Sequence, residues 1–264
     1  MEFKRVGSVR VDSGLLLFID PCYVQSSSSP QSTRTVVDAK LAEGQGGQLN
    51  YPLGHAGLGV VASDIPMGIH DVWIGEEDRR IWRLEIWFGQ RRSDLDHGSS
   101  LGSCGVDAGQ IMVVDPRNLD PHWVRSEDAA VVGVSFWGRD ANLLLAALGD
   151  RVEDYRGGIG THLVRGADAR AILAEIRDLA ARVGAKIVPH VERKSSYEAV
   201  CAVTREGAGT LPFPDGTEGW LVATSSGDGD GTYEVSELIS DGQLTAVVID
   251  FRGTDPDDEH EQPE

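Results

Sequence analysis

Gly7-Ser8-x-x-Val11-Asp12-Ser13-Gly14, the apolar run Leu15 to Ile19 and then Asp20-Pro21 recur as Gly102-Ser103-x-x-Val106-Asp107-Ala108-Gly109, an apolar run and Asp115-Pro116. Each residue of the second block stands 95 positions after its counterpart. Self-similarity of this kind is read before any single motif, because a repeat sets the frame in which motifs sit. A second block, Leu49-x-Tyr51-Pro52-x-Gly54-x-x-Gly57, returns as Leu211-x-Phe213-Pro214-x-Gly216-x-x-Gly219, now 162 positions on. The two offsets differ by 67, so the second copy carries an insertion of that size between Pro116 and Thr204. A third block closes each copy: Gly68 to Val72 with a strand ending Ile86-Trp87-Phe88, and Gly231 to Val235 with a strand ending Ile249-Asp250-Phe251.

Short apolar runs bounded by glycine and Asp-Pro, such as Leu15 to Ile19 and Ile111 to Val114, read as strands. Val60 to Ala62, Leu221 to Ala223, Ile81 to Phe88 and Leu244 to Phe251 add more, the last returning from a Ser240-Asp241-Gly242 turn. The insertion has another grammar. Ala129 to Trp137 predicts a strand, Asp140 to Leu148 a helix closed by Gly149, Ala167 to Val183 an amphipathic helix closed by Gly184, and Ile187 to Val191 an edge strand. The expected fold is mainly β, α+β overall: two tandem β-rich repeats, 1–92 and 101–253, with pseudo-two-fold packing. Residues 93–100 are the expected linker, about 122–194 the inserted α/β element, and 254–264 an acidic disordered tail.

The chain has 264 residues, enough to bury a full core without a metal or disulfide. Twenty-four basic against 42 acidic residues give a net charge of −18, which disfavours nucleic acid and anionic lipid as general partners. A local basic group, Arg79, Arg80, Arg91 and Arg92, is the exception to look for. Cys22, Cys104 and Cys201 are an odd number without a CxxC pair, so reduced thiols are expected. No apolar run approaches the roughly 20 residues that span a bilayer, and no basic start leads into a secretory core; a cytoplasmic protein is expected.

Ser225-Ser226-Gly227-Asp228-Gly229-Asp230-Gly231-Thr232-Tyr233, followed by the strand ending Asp250-Phe251, resembles a bacterial family catalogued as domain of unknown function number 4241. That family shows a Gly-Asp-Gly-x-Tyr loop before a strand ending in Asp-Phe, and the Val-Asp-x-Gly openings at Val11 and Val106 are similar to its own. The resemblance covers the repeat blocks, about half the chain, and implies a β-rich fold with no assigned activity. Copy one departs from it with Ile65-Pro66-Met67-Gly68-Ile69-His70 in place of the loop. Copy two departs with Arg117-Asn118 where copy one has Cys22-Tyr23.

Asp20-Pro21-Cys22-Tyr23 sets a carboxylate, a thiol and a phenol just past a buried strand, where sites are often built. Asp20 and Cys22 are therefore catalytic candidates, with His55 as the base a nucleophilic thiol needs. The competing reading, favoured by the persistence of Asp-Pro in both copies, is that Asp20 and Asp115 cap Asx-Pro turns. Ser226 to Glu237 can be laid on a calcium loop, with Asp228, Asp230 and Glu237 as ligands of calcium or another divalent cation. The preceding residues read as a strand where that motif needs a helix, so a plain Asp-Gly turn competes. No other cofactor is called for.

Arg156 to His162 is glycine-rich enough for an anion-binding nest but lacks a strand before and a helix after, which favours a connector. His122, His162 and His190 show no metal-ligand spacing, and His190 reads as structural. Cys201 reads as a core thiol. Trp73, Trp82 and Trp87 read as sheet core in preference to a ligand groove. The leading expectation is a non-enzymatic binding protein whose diverged loops, with Tyr23, Asp228, Asp230 and Tyr233 as contact residues, meet a protein partner or small ligand. The alternative is a hydrolase or transferase, metal-dependent or not, with a composite site between the copies. Oligomeric state is left open.

Overall fold

Leu16–Ile19 (β2) and Gly59–Ala62 (β4) are buried at every position, which requires a sheet covered on both faces. The computed structural model, which describes residues 2–24, 37–38, 46–49, 59–92, 97–155 and 161–252, supplies that sheet. The chain divides into two compact units, Met1–Trp123 with Ala199–Glu264, and Val124–Glu198. It is mainly β, with three antiparallel sheets.

The first unit holds two six-stranded sheets. One runs β1 (Glu2–Val11), β5 (Gly68–Glu77), β6 (Arg80–Trp87), β16 (Gln243–Asp250), β15 (Gly231–Ser240), β7 (His97–Val106). The other runs β13 (Ala208–Leu211), β14 (Leu221–Ser225), β8 (Gln110–Val114), β2, β4, β3 (Gly47–Leu49). Val9, Val72, Leu84, Val235 and Ile249 of the first interleave with Leu16, Phe18, Val60, Ile111 and Val222 of the second in one core. The opposite face of the second sheet, with Leu17, Val61, Met112 and Leu221, is closed by Trp220, by Leu119 of helix α1 (Pro116–His122) and by Val200 of helix α4 (Ser196–Thr204). Two covered faces leave no polar alternation, so these strands read as continuous apolar runs. Each fully buried Leu, Ile or Phe contributes about 1.5–3 kcal/mol relative to exposure.

Both hairpins of the outer sheet close through two-residue turns. Glu77 pairs with Arg80 across Asp78 and Arg79, both at positive φ, and Ser240 pairs with Gln243 across Asp241 and Gly242, likewise at positive φ. These are type I′ turns, whose twist matches that of the strands.

The second unit has sheet order β10 (Val152–Asp154), β11 (His162–Arg165), β9 (Val131–Trp137), β12 (Val188–Arg193), which puts β12 on an edge as expected. Helices α2 (Asn142–Leu148) and α3 (Ala169–Val183) cover one face, where Leu144, Ile172, Ile176 and Leu179 pack on Val134, Phe136 and Val164. Asp168 caps α3 by accepting from the Ala171 N–H at 3.0 Å, and Gly184 ends it in the left-handed region.

Three expectations change. Strand β7 starts at His97, so the linker expected at 93–100 cannot extend past 96. Helices α1 and α4 stand where the sequence reading places only an Asx-Pro turn at Asp115 and a core thiol at Cys201; a Pro at the first helical position and a Ser-x-x-Glu start are their signals. Residues 226–230 join strands of different sheets, so the Asp-Gly segment is a crossing and not a hairpin turn. The expected tail and the Ser26–Pro30 loop lie outside the described residues. Among the described residues no helix is long and apolar enough to cross a membrane.

Candidate functional site

Strand β2 delivers Asp20 to the end of the buried sheet, where Pro21–Tyr23 forms a single 3-10 turn. One carboxylate oxygen of Asp20 accepts from the Cys22 N–H at 2.8 Å, which is the expected local cap. The other accepts from the N–H groups of Asp107 and Ala108 at 2.8 and 2.7 Å. Asp115, ending β8, does the same in reverse. It accepts from Arg117 N–H locally, and from the N–H groups of Asp12 and Ser13 at 2.7 and 2.8 Å. The Ser13 hydroxyl donates to it as well. Both aspartates are fully buried. A buried carboxylate committed to three backbone donors is a fixed structural anchor, which removes Asp20 from the catalytic candidates.

Tyr23 donates its hydroxyl to Asp107 Oδ2 at 2.5 Å. Asn118, which stands where Tyr23 does 95 residues earlier, donates its amide to Asp12 Oδ2 at 3.1 Å. The substitution that marks the divergence of the blocks thus keeps one role, a side-chain donor to the facing aspartate. Cys22 is exposed, but partial burial of its sulfur, then a hydrogen bond with Asp20 and the charges of Asp20, Asp107 and Asp230 push its thiol far up. Such a group stays protonated at neutral pH and makes a poor nucleophile. Burial and the Asp107 bond also raise the Tyr23 phenol. His55, the base proposed for Cys22, lies outside the described residues.

The Ser226-to-Asp230 loop docks beside this corner, its Ser226 N–H donating to Gly109 O at 3.1 Å. The loop closes on itself: Ser226 Oγ donates to Gly229 O at 2.7 Å, and the buried Tyr233 hydroxyl reaches Gly229 O at 2.9 Å and Ser226 O at 3.2 Å. The Tyr233 ring meets Phe251 edge-on at 5.3 Å. Tyr233 is therefore a pin for the loop and presents no phenol to a ligand. Gly227 sits at φ +54, where a Cβ would lie 3.0 Å from Phe251 Cβ and 3.1 Å from Ile81 O.

The two aspartates of the loop part company. Asp228 pairs with Arg80, while Asp230 remains exposed with its charge acting on Cys22. Glu237 is seven residues beyond Asp230 along β15, a rise of roughly 20 Å in an extended strand. The three cannot share one cation, because the strand replaces the helix that folds a calcium loop back on itself. What converges at the corner is Cys22, Tyr23, Asp107 and Asp230.

The remaining candidates are structural. Trp87 is buried with Leu238, Ala246 and Val248, with Trp73 packed against them, and its indole N–H donates to Glu85 at 2.8 Å. Arg91 also donates to Glu85 and stacks 3.7 Å from the Phe3 ring centre, and Arg80 pairs with Asp228, so two of the four arginines are committed to partners. His122 packs edge-on against Phe213 at 5.3 Å. Cys201 is half-buried on α4, its sulfur accepting from Gln110 at 3.5 Å. His162 is buried on β11 beside Phe136, and the nest proposed before it lies outside the described residues.

Sequence reasoning missed one constellation. His190, Glu192 and Glu198 place ligand atoms within 4.8 Å of one another, the one such group among the described residues. The signal was present, since His-x-Glu on a strand puts both side chains on one face, but Glu198 joins them only through a helix that was not foreseen.

Comparison of the chain with protein-family models, with curated proteins and with solved structures finds no match in any of the three.

Proposed function

We propose that this is a non-enzymatic binding protein in which a duplicated β scaffold presents the corner formed by Cys22, Tyr23, Asp107 and Asp230 to a positively charged protein segment or small ligand. The duplication is supported by strand order. Exchanging β1 with β7, β2 with β8, β3 with β13, β4 with β14, β5 with β15 and β6 with β16 leaves both sheet orders unchanged. The central pairs β6–β16 and β2–β8 are antiparallel, as a pseudo-two-fold axis between the copies requires.

The observation that carries the binding reading is the gathering of the carboxylates of Asp107 and Asp230 around Cys22 and Tyr23, beside a thiol that burial, and after it the Asp20 hydrogen bond and these charges, keeps protonated. Such a corner suits recognition of a cation and disfavours attack on an electrophile. The hydrolase or transferase alternative gains the nearness of Asp230 to Cys22 but finds Asp20 already committed to backbone donors. Calorimetric titration with lysine- and arginine-rich peptides tests the proposal. Basic peptides should bind wild type in a salt-sensitive way and bind at least several-fold less well to Asp230→Asn. Equal binding to both, or binding to neither, overturns it.

A further inference from the structure

We propose that His190, Glu192 and Glu198 form a binding site for a divalent transition-metal ion of the zinc type, separate from the corner described above. His190 and Glu192 are alternate residues of the edge strand β12 and project from the same face. Glu198 returns to them because only Lys194 and Ser195 separate β12 from α4. Its carboxylate is held by a capping box. Glu198 Oε2 accepts from the Ser195 N–H at 3.0 Å, and Ser195 Oγ accepts from the Glu198 N–H at 3.2 Å.

Glu192 is held as firmly. Ser135 Oγ donates to its Oε1 at 2.5 Å and the Tyr155 hydroxyl to its Oε2 at 3.3 Å. Hydroxyl donors behind a ligating carboxylate fix its orientation. The ring of His190 makes no hydrogen bond or ion pair among the described residues, although its nitrogen lies within 4.8 Å of both carboxylates. Tetrahedral donors about 2.0–2.2 Å from one ion stand roughly 3.4 Å apart, so an ion would draw these three atoms slightly together.

The donor set chooses the ion. Imidazole nitrogen with two carboxylates favours zinc or a similar first-row ion, whereas calcium and magnesium prefer oxygen alone. Three protein ligands leave a fourth position, and the exposed His190 places it toward solvent. The site is thus of the open kind, in which a bound water completes the shell.

The test uses the purified full chain, stripped with a chelator and dialysed against zinc, manganese or calcium, with bound metal and melting temperature read together. One zinc per chain and a raised melting temperature are expected for wild type and for Asp230→Ala. His190→Ala and Glu198→Gln should lose both. The glutamine preserves the capping box, so loss there is not loss of the helix. Ser135→Ala, a positioning variant, should weaken zinc binding 10- to 100-fold. No stoichiometric zinc in wild type, or zinc retained in His190→Ala, overturns the proposal. A zinc-dependent rise abolished by Asp230→Ala but kept by His190→Ala would move the ion to the Asp228–Asp230 loop and overturn it equally.

Discussion

Asp20 and Asp115 hold each other's neighbourhoods closed: Asp20 takes the N–H groups of Asp107 and Ala108, and Asp115 takes those of Asp12 and Ser13. Each carboxylate caps its own Asp-Pro turn and the glycine-ended turn leading into the other's strand. The two form a reciprocal latch across the β2–β8 pair at the middle of the buried sheet.

Removing either half of the latch strands buried backbone donors, each costing about 1–3 kcal/mol. Asp20→Ala and Asp115→Ala should each lower stability by roughly 3–5 kcal/mol. The aspartate-to-asparagine variants, which keep one acceptor, should lose less. Urea denaturation midpoints at unchanged slope measure this, and a loss confined to one of the two aspartates would contradict the reciprocity.

Tyr23→Phe and Asn118→Ala should each cost on the order of 1 kcal/mol, the net worth of one hydrogen bond to a charged acceptor at a partly exposed site. A double-mutant cycle of Tyr23→Phe with Asp107→Ala should show coupling of similar size. Additive losses would mean that the Tyr23 hydroxyl contributes nothing through Asp107.

The Cys22 and Cys104 thiols are pushed far up, both chiefly by burial. The folded chain therefore keeps protons that the unfolded chain releases from about pH 8.5 upward. A raised group stabilises fully below its unfolded pKa and loses that contribution as pH rises toward the folded value. Stability should hold to about pH 8 and then fall steadily. Cys22→Ser should flatten the decline, which denaturation midpoints between pH 7 and 10.5 will register.

Gly227→Ala places a Cβ against Phe251 and Ile81 at a φ that favours glycine. A loss of about 1–3 kcal/mol is expected. Tyr233→Phe keeps the ring on Phe251 but frees the loop carbonyls, so it should cost about 1 kcal/mol while speeding amide exchange in residues 226–230.

The apolar strands and the glycine-ended helices α2 and α3 were legible in the sequence because their causes are local. Asp-Pro caps the residue two positions on, and Gly184 ends α3 by its own φ.

Tertiary structure alone decided the fate of side chains whose partners lie far along the chain. Asp228 finds Arg80 at a separation of 148 residues and Tyr23 finds Asp107 at 84. His190 gains Glu198 because a capping box turns α4 back toward β12. Periodicity fixes which face a residue occupies, but only the folded chain sets what it faces. The same carboxylate can therefore read as a ligand in sequence and serve as a latch in the fold.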